Sequence, residues 1–146
     1  MKKVGVAILG LGGVGGGTYR ILTEHREFYQ KTQGVDIVVE SVLELNRERA
    51  LSLGVPEEKI ASNIAEIVSN PDVNIVVEVI GGIAAAREFV LSALNAGKTV
   101  VTSNKELFCK YSHALEGAAK RQNAGLYFEA IFVACVSIIR PLMYVV

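Results

Sequence analysis

Hydrophobic residues in this chain come in short runs of five to seven, rich in Val and Ile, separated by longer stretches in which apolar positions recur at helical spacing. Runs that do not alternate with polar residues are buried on both faces, as parallel strands are between two layers of helices. The pattern predicts strands near Val4–Leu9, Asp36–Leu43, Asn74–Ile80, Thr99–Thr102 and Leu126–Ala130, with helices filling most of the gaps. Helix stops and turns fall where that reading needs them: Gly34 before the second strand, Asn70-Pro71-Asp72 before the third, Asn95-Ala96-Gly97 before the fourth and Asn123-Ala124-Gly125 before the fifth. A short element is expected around Lys59–Ala61, after which Ser62-Asn63 can cap a helix over Ile64–Ser69. The alternation of strand and helix implies an α/β fold with a doubly wound, mostly parallel sheet and helices on both faces.

The first strand breaks into Gly10-Leu11-Gly12-Gly13-Val14-Gly15 and the pattern then resumes as a helix. A strand, a glycine turn and a helix start make a phosphate cradle of the Rossmann type. Gly10 allows a sharp turn, Gly12 removes a side chain where a pyrophosphate approaches the backbone, and Gly15 lets helix and strand pack closely. Gly13 and Val14 complete the loop, and the phosphates are expected on the N–H groups and positive dipole end of the helix. A glycine-rich turn with no ligand reads similarly, but the preceding strand and the β/α pattern that follows favour a dinucleotide.

Composition narrows the partners. Fifteen basic and fifteen acidic side chains cancel, so no charge footprint for nucleic acid or an anionic membrane is present, and neither partner is expected. The apolar runs fall short of a membrane span. Cys109 and Cys135 have no metal-ligand spacing, no metal is expected, and two thiols without a signal peptide fit a reducing, cytoplasmic setting. His25 and His113 are isolated and read as surface residues.

In such a fold an acidic residue at the end of the second strand binds the adenine ribose hydroxyls and repels the 2′-phosphate of NADP. Glu44 is the candidate. Arg47 and Arg49 lie just beyond it, where a guanidinium can instead receive that phosphate, or the three can form a solvated helix start. The cofactor is therefore NAD or NADP, with NAD favoured. Later strand ends supply Gly81-Gly82-Ile83, Ser103-Asn104-Lys105 and Glu129-Ala130, and ligands bind at carboxyl ends of parallel strands. Gly81 and Gly82 would let backbone approach the cofactor, and Lys105 would bring a positive donor near the nicotinamide.

Together, GLGGVGGG at Gly10–Gly17, NPDVNIVVEVIGG at Asn70–Gly82, AGKTVVTSNK at Ala96–Lys105, FEA at Phe128–Ala130 and IIRPL at Ile138–Leu142 resemble the N-terminal nucleotide-binding region of homoserine dehydrogenase, in the right order over essentially the whole chain. The Ser-Asn-Lys loop is the specific part, since sugar-type oxidoreductases usually carry Glu-Lys-Pro there. The resemblance implies hydride transfer between aspartate semialdehyde and homoserine with NAD(P)H, on the threonine and methionine biosynthetic route. It implies that Gly10, Gly12, Val14 and Gly15 cradle the pyrophosphate, that Gly81 and Gly82 border the cofactor, and that Ser103 and Asn104 approach the nicotinamide. Lys105 would be the catalytic lysine, stabilising and protonating the alkoxide that forms as the carbonyl receives hydride. Glu129 would stand at the mouth of the substrate pocket.

The chain departs from the family at Ala134-Cys135-Val136-Ser137, where a small-residue and proline turn is usual; Cβ atoms at Cys135 and Ser137 would crowd a close cofactor approach. The expected organisation is a dinucleotide-binding domain over residues 1–130 and an apolar segment over 131–146, leading to a substrate and dimerisation domain not contained in this sequence. Turnover by these 146 residues alone is then expected to be negligible. The apolar tail needs cover, from a homo-oligomer, from that further domain or from its own sheet. Two other readings stand beside this one: a module that senses NAD(P)(H) and signals through the tail, and another amino acid or sugar dehydrogenase of related architecture.

Overall fold

The computed structural model describes residues 1–128. Five strands form one sheet: β1 (Lys2–Leu9), β2 (Val35–Leu43), β3 (Ile75–Glu78), β4 (Thr99–Thr102) and β5 (Leu126–Phe128). The helices are α1 (Gly13–Glu24), α2 (Arg26–Gln33), α3 (Arg47–Ser52), α4 (Ile64–Val68), α5 (Ala84–Asn95) and α6 (Lys105–Gln122), with a 3₁₀ turn at Glu57–Lys59. The sheet order is β2-β1-β3-β4-β5 and every pairing is parallel. All five strands therefore present their carboxyl ends to one edge. The chain starts in the middle, winds one way to β2, and crosses back over β1 to build β3, β4 and β5. The loop after β1 thus lies at the point where the winding reverses, which is where such sheets open a crevice.

β1 is buried on both faces from Val4 onward, as its unbroken apolar run requires. Val4, Val6 and Ile8 pack with Ile37, Val39, Tyr19, Leu22 and Tyr29 on the side of α1 and α2. Ala7 and Leu9 face the other way, onto Val76 and onto Val90, Leu94, Leu107 and Leu115 of α5 and α6. Truncating one of the fully buried residues, such as Ile8 or Leu94, to Ala typically costs about 2–5 kcal/mol. One residue of β2, Glu40, is left over where Val6 pairs Val39 and Ala7 pairs Ser41, which makes a bulge.

The sequence-derived elements recur with shifted ends. β3 is shorter than its apolar run, closing at Glu78, and the first helical stretch divides at His25 into α1 and α2 before Gly34 ends it with φ 68°. The element expected near Lys59–Ala61 is that 3₁₀ turn followed by a parallel bridge from Ile60 to Val42. Asn63, with its side chain accepting from the Glu66 N–H, is the cap of α4. The expected extension of the fifth strand to Ala130, the 130/131 boundary and the apolar tail lie outside the described residues. Among the described residues no helix is long and apolar enough to cross a membrane.

Candidate functional site

The glycine loop is built around two backbone demands. Gly10 has φ 94°, a conformation that L side chains rarely adopt. A Cβ on Gly15 would lie 1.8 Å from the Gly10 carbonyl oxygen, so α1 packs against the end of β1 only because residue 15 has no side chain. At Gly12 and Gly13 an added Cβ meets nothing within 4 Å. Gly12 is the N-cap of α1 and, among the described residues, no side chain makes a capping hydrogen bond at that positive dipole end. A dinucleotide pyrophosphate fits that arrangement: the backbone is bare where the anion must approach, and glycine is obligatory where the turn must close.

The loop is held from outside by two charged side chains. Glu44 follows β2; its Oε1 accepts from the Leu11 N–H at 2.8 Å and its Oε2 from the Asn46 N–H at 2.9 Å. Arg49 Nε donates to the Leu11 carbonyl at 3.0 Å. The Leu11 peptide is therefore gripped at both its donor and its acceptor. Arg47 points elsewhere and is ion-paired with Glu57, outside the lining of the groove.

Two cavities flank this loop along the carboxyl edge of the sheet. One, about 520 Å³, is lined by residues that include Gly10, Gly12, Glu44, Asn63, Glu88 and Phe89. The other, about 480 Å³, is lined by Val14, Gly81, Gly82, Ser103, Asn104, Lys105 and Phe128, among others. Val79, Ile80 and Gly81 wall both. Residues from the carboxyl ends of all five strands are thus brought to one groove made of these two adjoining cavities. Asn104 caps α6, its Oδ1 accepting from the Leu107 N–H, and this puts Lys105 at the first helical position with its side chain exposed to the second cavity.

A family model described as homoserine dehydrogenase, NAD binding domain, matches residues 10–129. The chain belongs to that family. Homoserine dehydrogenase of Mycobacterium tuberculosis is 40% identical over 141 residues, and that of Bacillus subtilis 33% over 142; each alignment spans 97% of this chain. The chain spans about a third of the length of these relatives, 32% and 33%. Among solved structures, the S. aureus enzyme superposes over 89% of this chain and 33% of its own, with TM-score 0.80 and 35% identity. The enzyme from Thiobacillus denitrificans gives TM-score 0.79 at 39% identity, over 88% of this chain and 30% of its own. A nucleotide cofactor belongs to this domain.

In this homoserine dehydrogenase domain the sequence-chosen residues divide into groups. Gly10, Gly12, Val14, Glu44, Gly81, Gly82, Ser103, Asn104 and Lys105 line the groove; Gly15 shapes it from behind, and Gly13 lies in the open first turn of α1. Arg47 is not brought in, and Glu129, Cys135 and Ser137 lie outside the described residues. Sequence reasoning missed Ser62, Ala85, Glu88 and Phe89 on one side and Phe128 on the other. It also missed Glu78, fully buried at the end of β3. A lone acidic residue closing an apolar strand run, IVVE, was the available signal.

Proposed function

We propose that this chain binds NAD(H) across the carboxyl edge of its sheet, as the cofactor-binding part of an enzyme that interconverts aspartate semialdehyde and homoserine. The observation that carries this is the pair of cavities on either side of the start of α1, where no described side chain makes a capping hydrogen bond, sharing Val79, Ile80 and Gly81. Adenosine would occupy the Glu44 and Glu88 side, the pyrophosphate the start of α1, and the nicotinamide the space between Gly81-Gly82 and Ser103–Lys105. The bound reduced nicotinamide supplies hydride. Lys105 would be the catalytic residue that stabilises the developing alkoxide and delivers its proton, and Glu129 would stand at the substrate mouth. A cytoplasmic biosynthetic setting, and a homo-oligomer or further domain covering residues 131–146, complete the reading.

NAD is favoured over NADP because Glu44 and Glu88 are the charged groups in the adenosine-side lining. Arg47 pairs with Glu57 and Arg49 donates to the Leu11 carbonyl, and neither lines that cavity. Titration of the purified protein with NADH and NADPH, followed by nicotinamide fluorescence while light scattering reports its mass, tests both points. Tighter binding of NADH is expected. Binding of NADPH alone would overturn the role given to Glu44, and binding of neither would overturn the cofactor site.

A further inference from the structure

Glu78 and Thr102 end adjacent strands, are fully buried, and line neither cavity. They nonetheless sit directly beneath the two loops that wall the Lys105 cavity. Thr102 Oγ1 donates to Glu78 Oε2 at 2.5 Å, and the Ile80 N–H donates to Glu78 Oε1 at 2.8 Å. The same Thr102 oxygen accepts the Asn104 N–H at 3.0 Å, and Asn104 Nδ2 donates to the Gly82 carbonyl at 2.5 Å. With the backbone from Ile80 to Gly82, these bonds close a ring that stitches the loop after β3 to the loop after β4. Thr102 accepts the Asn104 N–H and its hydroxyl donates to Glu78, which accepts on both oxygens. A carboxylate meets that demand, whereas an amide would set an N–H₂ against one of the donors.

We infer that Glu78 is a positioning residue which, through Thr102 and Asn104, sets the spacing between the Gly81-Gly82 turn and the Ser103–Lys105 loop, and so governs the nicotinamide half of the site without touching the cofactor. This rests on the dinucleotide site proposed above. The ring explains why a desolvated carboxylate is retained in an apolar strand: a fully satisfied buried network fixes one arrangement of its members. Ile80 and Gly81 wall both cavities, but Asn104 and Gly82, which the ring ties together, line only the Lys105 cavity, and no hydrogen bond of the ring goes to the glycine loop or Glu44.

The test compares NADH with ADP-ribose, which lacks the nicotinamide, on purified wild type and on Thr102→Val, Thr102→Ser and Asn104→Asp. Thr102→Val keeps the packing and removes the central hydroxyl; Thr102→Ser restores it. Asn104→Asp keeps the α6 cap but loses the donor to Gly82. Thr102→Val and Asn104→Asp are expected to raise the Kd for NADH tenfold or more and shift the emission of the bound nicotinamide, with the Kd for ADP-ribose within twofold. Thr102→Ser is expected to match wild type on both ligands. Folding is checked by circular dichroism, and if Thr102→Val does not fold, Glu78→Gln, which lies outside both linings and is expected to affect the two ligands as Thr102→Val does, decides. Unchanged NADH binding in the folded variants, or equal loss of both ligands, overturns the positioning role. Wild type that binds neither ligand overturns it together with the dinucleotide site, whereas wild-type binding with unaffected variants overturns the positioning role alone.

Discussion

A methyl group added at Gly15 would sit 1.8 Å from the Gly10 carbonyl oxygen, whereas one added at Gly12 meets no atom within 4 Å. The first clash is with backbone, which a small side-chain movement does not relieve. Gly15→Ala is expected to destabilise the protein by at least about 3 kcal/mol, read as a lower urea midpoint. Gly12 has φ −67°, and serine is a better N-cap than alanine, so Gly12→Ser is expected to leave the midpoint within about 0.5 kcal/mol of wild type. Its hydroxymethyl group would fill the phosphate approach, and NADH affinity is expected to fall tenfold or more in a fluorescence titration. A variant that is stable but still binds NADH normally would show that the phosphates do not sit there.

The helices and strands carry charges whose effects follow from where each element ends. Lys105 occupies the first position of α6, where a cation opposes the helix dipole. Lys105→Ala is therefore expected to raise stability by about 0.3–1 kcal/mol, measured as a small increase in Tm, while leaving NADH binding in place. At the far edge of the sheet, Arg26 of α2 grips Asp36 of β2 with bonds of 2.6 and 2.7 Å, and Gln30 adds a third at 2.9 Å. The guanidinium beside Asp36, then the Gln30 amide, hold its carboxyl below the usual carboxylate range. That contribution is present above the ordinary carboxylate value and is lost as pH falls through the depressed one. With the Arg26 side chain 48% exposed, Asp36→Asn is expected to cost only about 0.5–1 kcal/mol at pH 7, the difference from wild type closing in urea titrations as pH falls below the ordinary carboxylate value. Burial pushes Glu78 up, against the pull of its bonds from Thr102 and Ile80, which gives the opposite sign: its share of stability declines as pH rises from the ordinary carboxylate value toward the raised one.

Which of these elements could be read in the sequence depends on how local their causes are. Strand cores and the glycine turn were legible because apolar runs and the φ demands of Gly10 act within a few residues. The groove lining at Gly81-Gly82 and Ser103–Lys105 followed from the rule that ligands meet the carboxyl ends of parallel strands. Glu44's grip on Leu11, 33 residues away, was not legible, nor was the pairing of Arg47 with Glu57 across α3, because both depend on how a loop returns to the sheet. The Glu78 ring needs β3 and β4 side by side before its donors have any direction.

For the whole molecule, cofactor and fold are linked by mass action. NADH that binds the folded chain and not the unfolded one stabilises it by about 2.7 kcal/mol at one hundred times Kd. A chain of this length should then melt roughly 8 °C higher, checked by a thermal scan with and without NADH. No shift in a protein that still binds would mean that the unfolded chain binds as well. The strand order carries a further consequence for synthesis. β2, β1 and β3, with α5, come from the first 95 residues and hold the Glu44 cavity, whereas the Lys105 cavity draws on β4, α6 and β5 as far as Phe128. Chains emerge from the ribosome amino end first, while a domain folds as a unit. Every residue that lines the Glu44 cavity is therefore already on the nascent chain before Ser103, Lys105 and Phe128, which wall the other cavity, have been joined to it.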